Sequence, residues 1–432
     1  MSIKFGIRRE DKNQWERRVP IIPSHIKEIL NENRDIQVIV QPSKIRVFSD
    51  NEYQEAGAII KEDLSDCKVV FAVKEIPINF FKSNVTYVFF SHTIKGQKYN
   101  MSMLKKMMDL KCNLIDYEKI TNAEGFRIVF FGRYAGLAGM IDTLWSFGER
   151  MKLNNIETPF NDIRKTIDYN NLDEVKEHFK LIGEKIRKNG IPNDLCPFIV
   201  GLAGYGHVSK GAQEILDILP VIEISPKDLD KIVDNHSNKN IYKIVFKEED
   251  MVEPISNKHV FKLQDYYNNP EKYKSKFEKY LNYITILMNC IYWDSRYPRL
   301  VTKDFVKRNF NKIKLKIIGD ISIDINGAIE FTEKSTISDE PSFVYNPITN
   351  SVKDGVDGEG IVVMGVDNLP CELPFESSIE FSNSLHNLIV NIVRADYNKD
   401  FDNCNLPDEI KKAVILYHGD LTPDYDYIVN YL

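Results

Sequence analysis

At 432 residues and 43% hydrophobic content, the chain exceeds the size at which single cores usually stop growing, so we expect two domains. The formal charge of −6 comes without a basic stripe or arginine-rich tail, which argues against nucleic acid as a partner and favours small molecules. The six cysteines form no CxxC pair, which predicts reduced thiols and no structural metal.

The first part of the chain alternates short apolar runs with helical patterns. It opens with MSIKFGIRREDK, which has no apolar signal region. No apolar run approaches the roughly 18 residues of a membrane span, so we expect a soluble, cytoplasmic protein without a membrane partner. KFGI, IQVIVQ, VVFAVK, YVFF and NLIDY predict strands, with helical segments such as SHIKEIL and residues 97–111 between them. This rhythm predicts βαβ units and a parallel sheet.

A second series of apolar runs follows the first. It begins at FIVGLAG and continues through VIEI, IYKIVF, LKIIGD and IVVMGV, and the boundary between the series falls near Ala135. Residues 333–358 are polar and suit loops, whereas SSIEFSNSLHNLIVNIV predicts a long amphipathic helix, able to pack on either domain, with no strand signal after it. We therefore predict an α/β protein of two doubly wound Rossmann-like domains with a cofactor cleft between them.

Residues 198–212, FIVGLAGYGHVSKGA, carry closely spaced glycines between a predicted strand and a predicted helix. Gly204 and Gly206 fit the Gly-x-Gly-x-x-Gly pattern, Ser209 replaces the third glycine, and Gly211 follows two residues later. An ordinary tight turn would also use these residues. The strand before and the helix after favour a dinucleotide site, because the helix N-terminus attracts a pyrophosphate.

Three residues about twenty positions further on bear on the choice of dinucleotide. Glu223 would accept a hydrogen bond from a ribose hydroxyl of NAD, whereas Ser225 and Lys227 would accommodate the 2′-phosphate of NADP, so both cofactors stay open. Asp320 ends LKIIGD at the same side of the predicted sheet. It fits a turn residue as well as a ligand.

Polar residues flank the strands of the first series, where open α/β sheets bind their ligands. They are Arg8, Arg9, Arg17, Arg18, Lys74, Glu75, His92, Glu118 and Arg127, the last of which opens the apolar run RIVFFG. Each alone suits a solvated or structural side chain. Lys74 and His92 both end buried-looking strands, so we expect them in one cleft, where they suit acid–base chemistry as an amine attacks a carbonyl. Arginines suit a carboxylate-bearing substrate.

Lys74 acts near neutrality only if its pKa falls below the ordinary value of roughly 10.4. Burial, Arg18 and a protonated His92 would lower it, whereas Glu16 and Glu75 would oppose them.

Eight motifs carry a family resemblance. In chain order they are IRREDKNQWERRVPIIPSHIK, VKEIP, FFSHTIKGQ, LIDYEKI, FGRYAGLAGMID, GYGHVSKGAQ, NCIYWDSRYPRL and VDNLPCELP. From about Ile7 to the C-terminus the chain resembles the lysine 2-oxoglutarate reductase part of bifunctional aminoadipic semialdehyde synthase. It is more distantly similar to saccharopine dehydrogenase and alanine dehydrogenase.

The resemblance implies formation of saccharopine from L-lysine and 2-oxoglutarate with NADPH, NADH being the alternative. It implies that residues about 369–432 return to the first domain, 1–135, and that 136–368 bind the dinucleotide. The family's saccharopine-cleaving domain is not in this chain, so we expect a separate saccharopine-cleaving dehydrogenase as a partner. The residues implied are Lys74 and His92 as the acid–base pair, Arg18 and Arg127 for substrate carboxylates, Glu16, Glu75 and Glu118 as tuning acids, and Gly204, Tyr205, Gly206, His207, Val208, Ser225, Asp320, Asp367, Asn368 and Leu369 at the cofactor.

Two other functions fit the same residues. One is reductive amination with another pair of amino acid and oxo acid, and the other is a nicotinamide-binding sensor without turnover. Tyr205 and His207 stand where smaller or amide side chains are expected, which leaves the cofactor preference open. The oligomeric state is not readable from the sequence.

Overall fold

The computed structural model describes residues 2–256 and 258–432. The chain divides into two compact units, of which the first is Met1–Phe131 with Pro374–Leu432 and the second is Gly132–Leu373. Each unit is built on one large sheet.

Within the described residues the chain forms eighteen strands. They are β1 (Ile3–Ile7), β2 (Ile36–Val40), β3 (Ile59–Ile60), β4 (Val69–Phe71), β5 (Thr86–Phe89), β6 (Asn113–Asp116), β7 (Phe198–Ala203), β8 (Val221–Glu223), β9 (Ile241–Phe246), β10 (Val252–Pro254), β11 (Tyr273–Ser275), β12 (Ile286–Asn289), β13 (Ile317–Asp320), β14 (Ser342–Asn346), β15 (Ser351–Asp354), β16 (Ile361–Met364), β17 (Val414–Tyr417) and β18 (Asp420–Leu421).

The same residues form twelve α-helices. They are α1 (Pro23–Glu32), α2 (Asp50–Glu55), α3 (Lys98–Asp109), α4 (Gly132–Leu153), α5 (Leu172–Asn189), α6 (His207–Leu216), α7 (Leu229–Asp234), α8 (Glu248–Met251), α9 (Leu263–Asn268), α10 (Lys303–Asn309), α11 (Pro374–Arg394) and α12 (Asp408–Lys411). None of these helices combines the length and the hydropathy that a bilayer crossing needs.

The sheet of the first unit has eight strands in the order β18-β17-β6-β5-β4-β1-β2-β3. Strands β1 to β6 pair in parallel, whereas β17 and β18 add at one edge as antiparallel strands. Every residue of β4, β5 and β6 is buried, as in parallel sheets covered on both faces. Because β6, β5, β4 and β1 are parallel neighbours, their carboxyl ends lie side by side.

The sheet of the second unit has the order β15-β14-β16-β13-β12-β7-β9-β8. The six strands from β16 to β8 are parallel, and β14 and β15 are antiparallel. Both sheets are thus mostly parallel with an antiparallel edge, which confirms the predicted α/β class. The six described cysteines are free thiols.

Strands β17 and β18 correct the expectation that no strand follows the long C-terminal helix. The run AVILY is a short apolar stretch, and such a run cannot be told from a buried helical segment by its periodicity. Its pairing with β6 shows a register shift between Val414 and Leu416. The run forms a strand because it pairs with β6 at the edge of the first sheet.

The hairpin of β14 and β15 corrects the loops expected over residues 333–358. All four residues of β15 are exposed, so the strand has no apolar face for a sequence pattern to reveal. Its backbone pairs with β14, which in turn pairs with β16. The apolar run that Arg127 opens forms no strand of the sheet, and only an isolated bridge joins Arg127 to Thr121.

Helices α4 and α6 of the second unit cross at two glycines. A Cβ at Gly211 would lie 2.0 Å from the carbonyl oxygen of Arg133, and a Cβ at Gly136 would lie 1.9 Å from that of Val208. Such distances leave no room for a side chain. Gly211, two residues beyond the expected third glycine, therefore serves close packing between two helices.

Candidate active site

The loops that follow β1, β4, β5 and β6 carry the titratable residues predicted from the sequence. Because these strands are parallel neighbours, the loops share one edge of the first sheet. The structure places there Glu16 and Arg18 after β1, Lys74 and Glu75 after β4, His92 after β5, and Glu118 after β6.

Glu75 connects two basic side chains. Its Oε1 lies 2.7 Å from Nδ1 of His92, and its Oε2 lies 3.0 Å from Nζ of Lys12. Burial would raise the pKa of Glu75, but the hydrogen bond and charge of His92 together with Lys12 outweigh it and lower that pKa. The ionised carboxylate accepts the Nδ1–H of His92, so in the neutral form of this imidazole the lone pair lies on Nε2.

His92 adopts a left-handed backbone conformation with φ of 48°. The side-chain amide of Asn100 donates to the carbonyl oxygens of Ser91, at 2.8 Å, and of His92, at 3.3 Å. The buried carboxylate of Asp116 accepts both the N–H of Ser91, at 3.0 Å, and its hydroxyl, at 2.5 Å. A residue held in a rare backbone conformation by surrounding hydrogen bonds is typical of functional positions.

Arg18 forms a two-point ion pair with Glu16. Its Nε donates to Oε1 at 2.7 Å and its Nη2 donates to Oε2 at 2.5 Å, and both side chains are fully buried. The guanidinium also lies 4.3 Å from the ring centroid of Phe131, whose ring stacks on Phe381 of α11 at 4.7 Å. The C-terminal helix thereby contributes packing beneath the predicted carboxylate-binding arginine.

Lys74 lies in an electrostatic setting that disfavours its charged form. Burial comes first and the charges of Arg18 and Lys12 add to it, so the pKa of Lys74 is lowered although Glu16 and Glu75 oppose the shift. A lowered pKa makes the lysine ammonium a better proton donor than it is in water.

Glu10 is a residue of this edge that the sequence did not single out. Its carboxylate accepts the backbone N–H of Val73 at 2.7 Å and that of Lys74 at 2.9 Å, so both oxygens hold the segment that carries Lys74. Burial and the charge of Glu16 raise the pKa of Glu10 to about 7, against these hydrogen bonds and Arg8. Glu10 lies within the charged stretch RRED, where no pattern distinguishes a buried carboxylate from a solvated one.

Arg127 and Glu118 are less enclosed. Nε of Arg127 donates to the carbonyl oxygen of Val129 at 2.7 Å, and its guanidinium lies 5.4 Å from the ring centroid of Phe90. Glu118 is half-buried, and its N–H donates to Asp116 at 2.8 Å. Exposed arginine on an aromatic face suits a ligand carboxylate.

The other candidate arginines after β1 have structural partners. Arg8 is buried over the ring of Phe80, at 5.0 Å from its centroid, and pairs with Asp11. Arg9 forms a two-point pair with exposed Glu62 at 2.6 and 2.7 Å, and Nε of Arg17 donates to a backbone carbonyl oxygen at 3.1 Å. Arg8, Arg9 and Arg17 therefore contribute to local packing and to surface ion pairs.

The glycine turn of the second unit connects β7 to α6. Gly204 has φ of +95°, a conformation that favours glycine, and a Cβ there would lie 3.2 Å from the carbonyl oxygen of Cys290. Gly206 caps α6 without any side-chain hydrogen bond, and a Cβ there would meet no atom within 4 Å. His207 and Val208 open the helix. An uncapped helix N-terminus beside open space fits a pyrophosphate.

The neighbour of β7 at this turn is β9 and not β8, which lies at the sheet edge. Ser225 therefore stands one strand further from the glycine turn than expected, and its hydroxyl donates to Asp228 at 2.9 Å. Glu223 at the end of β8 pairs with Lys243 at 3.0 Å. Strand pairing sets the order of β8 and β9 in the sheet. The apolar runs of the sequence show where strands lie but not which strands are neighbours.

Glu248 follows β9, the strand next to β7. It therefore holds the position near the glycine turn that the sequence analysis expected for Glu223. It accepts a hydrogen bond from Tyr267 at 2.6 Å. Burial, together with the charge and hydrogen bond of Glu248, raises the pKa of Tyr205 in the turn. Tyr205 is exposed, so this aromatic side chain faces solvent at the turn.

Asp320 ends β13 in a buried network. It accepts hydrogen bonds from Asn289 at 2.8 Å, from Thr332 at 2.6 Å and from the N–H of Ile323 at 3.2 Å. Burial raises its pKa to about 6, against the hydrogen bonds of Thr332 and Asn289. Ile323 has φ of 50°, which is rare for a β-branched residue, so Asp320 supports a strained turn.

Residues 367–369 follow β16, at the same carboxyl edge of the second sheet. Asp367 is exposed, whereas Leu369 is buried and would lie 3.3 Å from a Cβ at Gly139. The carbonyl oxygen of Asn368 accepts from the N–H of Cys371 at 3.0 Å. Because β16, β13, β12 and β7 are parallel neighbours, this segment, Asp320 and the glycine turn all follow strand ends on one side of the sheet.

Two family models match the chain. The alanine dehydrogenase/PNT N-terminal domain matches residues 6–138, and the alanine dehydrogenase/PNT C-terminal domain matches residues 266–424. A solved L-alanine dehydrogenase has the same fold, with a TM-score of 0.62 at 16% identity over 99% of both chains. A transhydrogenase from Sinorhizobium meliloti has a TM-score of 0.55 at 12% identity, covering 97% of this chain and all of that one. The chain belongs to the alanine dehydrogenase/PNT family.

Curated relatives give a closer likeness. The chain is 36% identical to the α-aminoadipic semialdehyde synthase of Arabidopsis thaliana, over 98% of this chain and 41% of the relative. It is 34% identical to the mitochondrial protein of that name from Bos taurus, over 98% of this chain and 47% of the relative. The L-lysine-forming, NAD(+)-dependent saccharopine dehydrogenase of Candida albicans is 28% identical over 87% of this chain and 89% of that protein.

These comparisons confirm the resemblance drawn from the eight motifs. The chain spans less than half the length of the two semialdehyde synthases. Their names therefore describe longer proteins, of which this chain matches one part.

Proposed function

We propose that this chain is a lysine 2-oxoglutarate reductase, which condenses L-lysine with 2-oxoglutarate and reduces the resulting imine to saccharopine. The observation that carries the proposal is the loop edge of the first sheet, where Lys74 has a lowered pKa and His92 is held by an ionised Glu75. The similarity to α-aminoadipic semialdehyde synthases supports the choice of substrates.

Lys74 and His92 would divide the proton transfers of this reaction. The substrate amine must lose a proton before it attacks the ketone carbon, and the carbinolamine must gain one before water leaves. In its neutral form, His92 would offer the lone pair of Nε2 as a base, because Glu75 accepts the Nδ1–H. Glu10 holds Lys74 through its backbone N–H, and burial and Arg18 lower the pKa of Lys74, so its ammonium would give up a proton more readily than an ordinary lysine.

Arginines would position the carboxylates of the substrates. Arg127 offers a guanidinium at the surface of the edge, on the ring of Phe90. Arg18 is already joined to Glu16 by two hydrogen bonds that offset its positive charge, so it would bind a carboxylate directly only if this ion pair opened. Glu16 and Glu75 balance that charge around Lys74.

The second unit would hold the nicotinamide dinucleotide. The uncapped N-terminus of α6 and the open space at Gly206 fit its pyrophosphate, and the bound cofactor supplies the hydride that reduces the imine carbon. The family resemblance favours NADPH. Lys247 and Glu248, which follow β9, offer a charge for a 2′-phosphate and an acceptor for ribose hydroxyls respectively, so NADH is tested beside it.

An absorbance assay tests the proposal directly. Purified protein is mixed with L-lysine, 2-oxoglutarate and either NADPH or NADH, and oxidation of the nicotinamide is followed, with saccharopine identified in the product by mass spectrometry. We expect oxidation that requires both substrates. A panel of other amines and oxo acids serves as the comparison.

Each outcome of this assay decides one alternative. Faster turnover with a different pair would assign another reductive amination. Cofactor binding by calorimetry without turnover on any pair would indicate a sensor and would refute the proposed reaction. The cytoplasmic location stays a prediction, for which fractionation of the source cells is the test.

A further inference from the structure

Helix α11 holds the segment that follows Arg18 through side chains spaced four residues apart. The hydroxyl of Ser378 accepts the N–H of Val19 at 3.0 Å, and the hydroxyl of Ser382 accepts the N–H of Ile22 at 3.0 Å. His386 is the next position on this face of the helix, since residues four apart lie above one another. All these residues belong to the first unit.

At the end of this face, His386 meets two residues of α1. Its Nε2 lies 3.3 Å from Oε2 of Glu28, and its ring centroid lies 4.2 Å from that of His25. His25 and Glu28 are three residues apart in α1 and therefore point to the same side of that helix. One potential ligand atom from each of the three residues lies within 4.8 Å of the other two.

The hydrogen bonds around this cluster leave ring nitrogens available. Nδ1 of His25 lies 2.6 Å from the hydroxyl of Ser382, which directs Nε2 of that ring to the other side. Nδ1 of His386 is buried and has no hydrogen-bond partner among the described residues.

We propose that His25, Glu28 and His386 bind a divalent transition-metal ion of the Zn²⁺ class, with water completing the coordination. Two imidazoles and one carboxylate are a donor set that such ions prefer, whereas Mg²⁺ and Ca²⁺ prefer oxygen ligands alone. The hydroxyl of Ser382 on Nδ1 of His25 is the kind of outer contact that orients a metal-binding imidazole.

The bound ion would join α1 to α11 and so tie the N-terminal part of the first unit to its C-terminal part. The ligands lie outside the loop edge that carries Lys74 and His92, so the role of the ion is structural. This inference is independent of the proposed reaction.

Zinc binding to the full chain tests the site. Untagged protein is treated with a chelator, reloaded with Zn²⁺ and desalted, and the metal content is measured by mass spectrometry. We expect about one Zn²⁺ per chain, a rise in the thermal unfolding midpoint with Zn²⁺ concentration, and visible absorption of the Co²⁺-substituted protein typical of tetrahedral coordination.

Substitutions locate the ion. His386→Gln and Glu28→Gln should each weaken Zn²⁺ binding by about a hundredfold or more, and Ser382→Ala by about tenfold, since outer contacts of metal ligands contribute about 10–100-fold. His236→Gln, at an exposed histidine of the second unit, is the matched control and should bind as the unchanged chain does. Glu28 is exposed, so its substitution tests the site even where a histidine variant folds poorly.

Equal Zn²⁺ affinity in the unchanged chain, His386→Gln and Glu28→Gln would overturn the proposal, as would the absence of stoichiometric Zn²⁺ in the reloaded protein.

Discussion

The carboxyl edges of the two sheets present different kinds of chemistry. In the first unit the edge consists of titratable side chains in pairs, such as Glu75 with His92 and Glu16 with Arg18. In the second unit the glycine turn presents backbone groups, with an uncapped helix N-terminus and open space at Gly206. The proposed function would therefore depend on proton transfer by side chains in the first unit, and in the second on the space left by glycines that lack a Cβ.

The largest effect should come from the side chains of the first edge. Lys74→Met and His92→Gln should each lower turnover by about a hundredfold or more, because each removes a proton donor or acceptor. Calorimetry should show cofactor affinity near that of the unchanged chain. Lys68→Met, at an exposed lysine of the same unit, is the matched control. Normal turnover in both active-site variants would refute the acid–base pair.

The next effect should be on the stability of the second unit. Gly211→Ala places a methyl group 2.0 Å from the carbonyl oxygen of Arg133, so α4 and α6 must move apart. Overpacking of this kind costs about 1–3 kcal/mol of unfolding free energy. A lower thermal unfolding midpoint, measured beside Gly206→Ser, is the expected result. An unchanged midpoint for Gly211→Ala would show that the helices do not require this glycine.

Gly206→Ser should separate cofactor binding from stability. The added side chain meets no protein atom within 4 Å, and serine is a good helix N-cap, so the unfolding midpoint should hold. The same side chain occupies the space proposed for the pyrophosphate and should raise the dissociation constant of the nicotinamide about tenfold, or 1.4 kcal/mol. Unchanged cofactor affinity would place the pyrophosphate elsewhere.

The smallest effect should be a change in how stability depends on pH. The pKa of Glu10 is raised to about 7 in the folded chain, so the folded state holds its proton where the unfolded state has lost it. Stability should therefore fall as pH rises from about 4.5 to about 7. In Glu10→Gln this part of the fall should disappear from the unfolding midpoints measured across that range.

Glu124→Gln, at an exposed glutamate of the first unit, is the control and should retain the full pH dependence. Equal slopes in the two variants would show that Glu10 does not bind this proton.

Sequence patterns revealed many of the buried strands but not the antiparallel edges of the two sheets. Strands buried on both faces, such as β5 and β7, appear as apolar runs because both sides of the backbone need apolar residues. The exposed β15 has no such run, and its place follows from pairing with β14. The order that puts β9 between β7 and β8 likewise arises from strand pairing and explains why Ser225 lies away from the glycine turn.

The candidate site shows the same division. Lys74, His92, Arg18 and the glycine turn stand next to strand ends, where position along the chain already indicates a shared edge. The sequence did not predict Glu10, because its carboxylate accepts two backbone N–H groups from the end of a neighbouring strand. Those contacts exist only when β1 and β4 lie side by side.

The sequence by itself determined the α/β class, the family and most residues of the candidate edge, because apolar periodicity and motifs are local properties of the chain. The tertiary structure alone decided which strands are neighbours, which carboxylates are buried, and which distant side chains meet. His25 and Ser382 are 357 residues apart in the chain and 2.6 Å apart in space. No spacing rule foresees such a pair, since packing of α1 against α11 brings it together.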